Sequence, residues 1–458
     1  MSVERAYFFE RALLGRGVAH NVRIEVDEHG FIGRCETMSQ AQATDTRYAA
    51  ALPGMPNVHS HAHQYALAGR AERSSDQRDS FWTWREVMYR FALRMTPEQL
   101  GAVAAQLYVE LLKGGYTSVG EFHYLHHDPA GAPYSDRGLM SRRLMQAAAQ
   151  AGLGFTLLPV FYRYGDLGGA AANRNQRRFV NDADDYVSLL TSLTADIRAN
   201  PLFALGMAPH SLRAVDKTGL QHILANSPLG DTAPIHIHIA EQQREVDDAL
   251  EKLRRRPVQY LLENFDINQR WCLVHATHME DSEVVALARS GAVAGICPTT
   301  EANLGDGVFR CPEYLRAGGR IAVGSDSNTA VEAAGELRLL EYAQRLTHQE
   351  RNVLSGGDNV GVGVALHEAA ARGGALALAQ PVGQLATGLR ADFVTLNTDD
   401  PLLCARDDDI FDAYIFAAGA RAVDDVYVGG RVVLKNGHHA QEDTIAAACR
   451  AALRELAS

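Results

Sequence analysis

The chain has 458 residues, 47% hydrophobic and 22% charged, an ordinary globular composition that excludes a disordered or fibrous protein. Its net charge of −11 argues against nucleic acid or an anionic membrane as a partner, and no apolar run approaches the ~18 residues of a membrane span. The six cysteines (Cys35, Cys272, Cys297, Cys311, Cys404, Cys449) are dispersed without a CxxC pair, which suits free thiols in a reducing compartment.

Residues 1–22 carry scattered charges (Glu4, Arg5, Glu10, Arg11, Arg16) and no apolar stretch of the signal-peptide kind, so a cytoplasmic protein is expected. Residues 1–52 alternate in hydropathy and turn around Glu28, His29 and Gly30, as strands do. Thr96 followed by Pro97 marks a helix start; Leu100, Val103, Leu107 and Leu111 form its apolar stripe, and Gly114 with Gly115 ends it. Eight short apolar runs, at 55–59, 117–122, 154–159, 203–208, 235–240, 271–275, 292–297 and 321–325, alternate with amphipathic stretches. Runs without strict alternation suit parallel strands buried on both faces. Their number predicts an α/β fold, a closed (β/α)8 TIM-like barrel over 53–382. The three consecutive arginines Arg254, Arg255 and Arg256 read as a solvated helix end. Residues 383–440 again read as strands and hairpins, with Gly429 and Gly430 as a turn, and are expected to pair with 1–52 in one small β-sandwich; 441–458 reads as a C-terminal helix.

Polar residues collect at the C-terminal ends of the predicted barrel strands, where barrel enzymes build their sites. His59 and His61 follow the first strand, His238 ends the fifth, His275 the sixth, and Asp326 follows the eighth. Residues two apart on a strand face one side, so His59 and His61 can share a centre. Imidazoles with one carboxylate suit a divalent transition metal, zinc by default. Taken singly each position is weak: 18 histidines generate HxH pairs by chance, His236 and His238 form a second one, and Asp326 could be a helix cap. Together they occupy four strand ends of one barrel, which favours a metal site. His238 is the better ligand of its pair because Glu241 lies three residues on, and His236 is expected to be packed.

The segments 52–61 (LPGMPNVHSH), 80–85 (SFWTWR), 121–128 (EFHYLHHD), 210–213 (HSLR), 236–243 (HIHIAEQQ), 273–278 (LVHATH), 300–307 (TEANLGDG) and 324–327 (GSDS) resemble the amidohydrolase superfamily. Within it the chain is similar to the cytosine/adenosine-deaminase-like branch, and there to the family of deiminases acting on N-formimino-L-glutamate. The resemblance covers nearly the whole chain. It implies a metallo-dependent hydrolase barrel with one zinc per subunit held by His59, His61, His238 and Asp326. It implies proton transfer by Glu241 and His275, assisted by Asp326, and substrate recognition by Gln64, Arg85, Tyr124, His210 and Arg213. The implied reaction is hydrolytic release of ammonia in histidine degradation, on a dianionic small-molecule substrate, by a cytoplasmic homodimer. Arginine forks suit two carboxylates, and a general acid/base beside the metal suits an ammonia leaving group. The family commonly reads Ala-Phe-Gln-Arg at 62–65 and histidine at 328, whereas this chain has His63, Tyr65 and Asn328, changes that could alter substrate preference.

Plainer readings stay beside these. Arg85 and Arg213 could be surface ion pairs, Tyr124 could be core, and His123, His126, His127 and His278 read as structural. A deaminase of a cyclic amidine (guanine, cytosine or an adenosine derivative) could use the same metal, although paired pocket arginines favour a dianion. A binuclear centre would want a bridging lysine on the fourth strand, and 203–210 has none. A barrel that only binds ligands would hold metal without turnover.

Overall fold

The computed structural model describes residues 3–15, 17–72, 81–357 and 360–458; Arg16 and Ser80 lie outside the described residues. Four strands come first: β1 (Val3–Leu14), β2 (Gly17–Asp27), β3 (Ile32–Glu36) and β4 (Thr46–Pro53). Asp27 makes the turn between β2 and β3, its Oδ1 accepting the amides of His29 and Phe31 while Gly30 takes the left-handed conformation (φ +85°). The barrel strands follow: β5 (Met55–Ser60), β6 (Tyr116–His123), β7 (Gly154–Phe161), β8 (Phe203–Leu205), β9 (Ala208–Pro209), β10 (Ile235–Ile239), β11 (Trp271–His275), β12 (Val293–Ile296) and β13 (Arg320–Val323). Then come β14 (Phe393–Leu396), β15 (Val423–Val428), β16 (Arg431–Lys435) and β17 (His438–His439), and the helix Glu442–Ala457.

Parallel pairing runs from β5 through β8 and from β10 through β13. Isolated parallel bridges join Met207 to Ile235 and Ser60 to Asp326, and so close the ring. The expected fourth strand is broken into β8 and β9 at Gly206, which lies against β10's entry: a Cβ there would sit 2.7 Å from the Pro234 carbonyl. The seam between first and last strands is fastened by Asn57, which donates to Ser325 Oγ (2.7 Å) and accepts the amides of Ser325 (3.1 Å) and His59 (3.2 Å). Across it the Asp326 amide donates to the His59 carbonyl at 2.8 Å.

The helix Pro97–Lys113 begins as expected, with Thr96 and Gln99 forming a reciprocal capping box. The helix Val362–Leu378 plugs the barrel floor: the carbonyls of Ala377 and Leu378 accept from His236 Nε2 (2.7 Å) and Thr156 Oγ1 (2.9 Å). Gly373 and Gly374 let this helix lie on the strands, since a Cβ on Gly373 would be 1.9 Å from the Ile321 carbonyl oxygen.

The terminal segments form one eight-stranded mixed sheet, ordered β17-β16-β15-β14-β4-β1-β2-β3. Its centre pairs the two chain ends, Leu52 against Val394, and one face buries Phe9, Ile24, Phe393 and Tyr427. Gly429 and Gly430 make the β15–β16 turn with φ of +56° and +64°. One expectation is corrected. Arg256 is not a solvated helix end: it pairs with Glu283 (2.6 Å) and donates to the His278 carbonyl (2.8 Å), tying the turn between the helices Gln243–Leu253 and Pro257–Asn264 to the start of the helix after β11. Among the described residues no helix is long and apolar enough to cross a membrane.

Two glycines separate packing from propensity. Gly373→Ala is expected to cost about 1–3 kcal/mol, because backbone must move to admit the methyl. Gly101→Ala, mid-helix with nothing nearer than 3.8 Å, is expected to gain about 0.5–1 kcal/mol. Urea denaturation of both variants checks the opposite signs.

Candidate metal centre and active site

His59, His61, His238 and Asp326 each offer one atom to a cluster whose members all lie within 4.8 Å of one another. His59 Nε2 is 3.1 Å from His61 Nε2 and 2.9 Å from His238 Nε2; Asp326 Oδ1 is 3.2 Å from His61 Nε2. The sequence periodicities explain the meeting. His59 and His61 bracket Ser60 at the end of β5, and His236 and His238 alternate along β10, so His236 sits one layer lower on the floor helix. Asp326 leaves β13 with φ +47°, a left-handed turn that brings its carboxylate back over the barrel mouth.

The donor set fits a cation. His61 Nδ1 donates to the Phe122 carbonyl (2.8 Å) and His238 Nδ1 to the His210 carbonyl (3.0 Å), which leaves each Nε2 with its lone pair turned inward. Nε2 atoms of three imidazoles packed this closely repel unless a positive charge lies between them. Burial, and then the neighbouring imidazole of His61, push His59 down to about 3, so it stays neutral as a ligand must. Burial alone would raise Asp326, yet the imidazoles of His59 and His61 beside it hold it well below the usual carboxylate range.

Two further groups face this cluster. Glu241 follows Ala240 (φ +48°), and its Oε1 is 3.7 Å from His275 Nε2. His275 also has a left-handed backbone (φ +69°). Cys272 and Val274 of β11 point into the barrel floor, so simple alternation would send residue 275 outward; the positive φ turns its ring in, 3.8 Å from Asp326 Oδ2. Burial opposes a charge on His275, but Glu241, Glu301 and Asp326 outweigh it and push it up to about 10; a cation on Asp326 acts in the opposite sense. Three non-glycine residues in the left-handed region at three strand ends cost on the order of 1–3 kcal/mol each, strain that the closed barrel sustains.

The cleft above is lined by Gln64, Arg85, Tyr124, His210, Arg213 and Glu241, together with Asp326, His61 and His238. Gln64 Nε2 donates to Tyr124 Oη at 2.6 Å, so Tyr124 belongs to the cleft wall as well as the core. Arg213 is no surface pair: buried, it donates to Glu241 Oε2 (3.2 Å), lies 3.8 Å from Glu245 Oε2, and stacks on Phe81. Arg85 lies 4.4 Å over Trp82, whose ring also carries Arg244 at 4.5 Å. His59 and His275 sit behind the lining, fully buried. Thus the candidate metal, catalytic and substrate-binding residues named from the sequence lie at or directly behind one cleft.

A model of the amidohydrolase family matches residues 50–433. The chain belongs to the amidohydrolase family. This amidohydrolase is 49% identical to a formimidoylglutamate deiminase of Pseudomonas aeruginosa, over 98% of this chain and 99% of that one. It superimposes on the crystal structure of an amidohydrolase from Brucella melitensis with a TM-score of 0.94, at 46% identity and covering 99% and 100% of the two chains. A zinc-bound adenosine deaminase from Xanthomonas campestris shares the fold at 20% identity, TM-score 0.80, with 99% of each chain covered. A divalent metal in the cluster follows from family and donor set together.

Sequence reasoning missed Glu245 and Glu301. Glu245 accepts the amide of Ala240 (3.1 Å) and Glu301 accepts from His275 Nδ1 (3.2 Å). Glu245 carried a signal, one helical turn after Glu241. The three departures from the family pattern sit outside the cleft lining. His63 is buried behind Tyr124, 4.8 Å between rings; Tyr65 packs towards Glu110 and Cys449; Asn328 caps a turn by accepting the Ala330 amide. His126, His127 and His278 donate to carbonyls of Val160, Val180 and Asp306, as structural histidines do.

Removing a ligand is expected to empty the centre without unfolding the barrel. His238→Ala should lower metal retained through gel filtration by at least about tenfold. His236→Ala, one layer below, should retain it, as elemental analysis of both proteins would show.

Proposed function

We propose that this amidohydrolase is a zinc-dependent formimidoylglutamate deiminase of histidine degradation, converting N-formimino-L-glutamate and water to N-formyl-L-glutamate and ammonia. The observation that carries the reading is the cleft itself: a His-His-His-Asp donor set at its floor, with a buried carboxyl and imidazole beside it and two arginines in its wall. Near-full-length likeness at 49% identity to a deiminase of that name supports the substrate.

On this reading His59, His61, His238 and Asp326 hold the zinc, which when bound supplies Lewis acidity and makes water a nucleophile at neutral pH. Glu241 takes a proton from the attacking water at its free oxygen and delivers it to the formimino nitrogen, so that ammonia rather than amide anion leaves. His275 steadies the developing oxygen through Nε2, and Asp326 shares the water's proton. Arg85 and Arg213 anchor the two substrate carboxylates, with Gln64, Tyr124 and His210 adding hydrogen bonds. In the free site Arg213 pairs with Glu241. A substrate carboxylate arriving at Arg213 competes for that guanidinium and releases Glu241 for proton transfer. The same reading carries a cytoplasmic homodimer, which light scattering on the eluting protein checks.

Zinc-loaded protein is expected to release ammonia from N-formimino-L-glutamate with formylglutamate as co-product. Glu241→Gln is expected to lower kcat by about 10²–10⁴. Arg213→Gln is expected to raise KM and also lower kcat, because it loses the anchor and the release together. Turnover of guanine or an adenosine derivative, with none of formiminoglutamate, would transfer the assignment to a cyclic-amidine deaminase.

A further inference from the structure

The segment 300–307 stands out in the sequence without an assigned task. The structure puts it in the helix Pro298–Leu304, directly after β12. That helix is fixed to two other elements by bonds that do not involve the cleft, and its end is closed by a bond of its own. The Thr299 amide donates to Glu336 Oε2 (2.9 Å), Thr300 Oγ1 donates to the Ser325 carbonyl (3.0 Å), and the Asp306 amide donates to the Glu301 carbonyl (2.9 Å). Glu301 is therefore delivered to its place by a rigid element rather than drawn there by a partner.

From that place its side chain reaches the sixth-strand histidine. Glu301 Oε1 accepts the Cys297 amide at 2.8 Å and lies 3.2 Å from His275 Nδ1; Glu301 is 4% exposed and His275 fully buried. A carboxylate at Nδ1 has one consequence for the ring. Nδ1 keeps its proton as donor, so Nε2 is the nitrogen free to exchange one. His275 Nε2 has no hydrogen-bond partner of its own and faces two groups of the cleft lining, Glu241 Oε1 (3.7 Å) and Asp326 Oδ2 (3.8 Å). The left-handed backbone at His275 turns the ring inward, and the bond from Nδ1 to Glu301 fixes which ring nitrogen faces Glu241 and Asp326.

We propose that Glu301 is a positioning residue for the deimination: its carboxylate orients His275 through Nδ1 and reserves Nε2 for the reacting oxygen. The proposal rests on the deiminase reading for its assay, but its geometry stands without it. The alternative is a purely local task, since Glu301 also caps the first turn of its helix through the Cys297 amide.

A double-mutant cycle separates the two. Glu301→Gln keeps an oxygen for the Cys297 amide and removes the charge at Nδ1. In the otherwise unaltered zinc enzyme it is expected to lower kcat on the order of 10² with KM nearly unchanged. In a His275→Asn background the same substitution is expected to change kcat by less than about twofold, because the group it positions is gone. Equal losses in both backgrounds would overturn the proposal and leave Glu301 a helix cap. Should Glu301→Gln fail to fold, nitrogen NMR of ring-labelled histidine in the intact zinc enzyme decides, with His275→Asn assigning the signals. A protonated Nδ1 on His275 is expected; an Nδ1 without a proton overturns the proposal. A parent enzyme that releases no ammonia would fail the deiminase reading, and the NMR result would still test this one.

Discussion

Closing the barrel is the constraint on which the site depends. A ring of parallel strands has no edge only if its last strand finds its first, and here Asn57 fastens that seam by bonding Ser325 and the His59 amide. The same seam carries half of the metal donors, His59 on one side and Asp326 on the other, with the Asp326 amide donating to the His59 carbonyl. Barrel closure and assembly of the centre are thus one event. A chain whose seam slipped by one residue would turn His59 out of the barrel while Asp326 stayed at its mouth.

Around the seam the centre is built as concentric layers of decreasing chemical freedom. The inward imidazole nitrogens have their outer nitrogens committed to backbone carbonyls of the neighbouring strand ends, Phe122 for His61 and His210 for His238. Main-chain acceptors are suited to this task because they cannot move without the barrel moving. Glu241 and His275 are placed by carboxylates instead, Glu245 on the amide of Ala240 before Glu241 and Glu301 on His275. Several acidic groups, Glu241, Glu301, Asp306 and Asp326, thereby share one buried region beside His275. A cation at the donor set offsets their mutual repulsion, so metal, imidazole and carboxylates stabilise one another's charge states.

The wall of the cleft answers a second problem. An acidic protein of net charge −11 repels anions at long range, so the dianion of the proposed reaction would have to be recognised at short range. An aromatic face under Arg85 holds its guanidinium in place without neutralising it, whereas Arg213 has both an aromatic face and carboxylate partners. The Arg213–Glu241 pair ties a guanidinium of the cleft wall to the carboxylate beside the donor set.

The sequence by itself determined the eight barrel strands within a few residues, the helix cap at Thr96, and the residues gathered at the strand ends. Those are local properties: apolar runs bury, Thr-Pro starts helices, and alternation puts His59 and His61, or His236 and His238, on a common face. It also preferred His238 to His236, because Glu241 follows the second; His238 lies 2.9 Å from His59 while His236 bonds the floor helix. Tertiary structure alone decided the rest. The left-handed turns at Ala240, His275 and Asp326 have no glycine to announce them, since the closed ring rather than local preference sustains their strain. Arg256 reads as a solvated arginine until Glu283 and the His278 carbonyl arrive from elsewhere in the chain. Glu301 reads as one glutamate in a polar segment until barrel closure sets it against His275, 26 residues earlier in the chain. Contacts between distant segments are written in no local pattern, because only the packing of all eight strands fixes which ends meet.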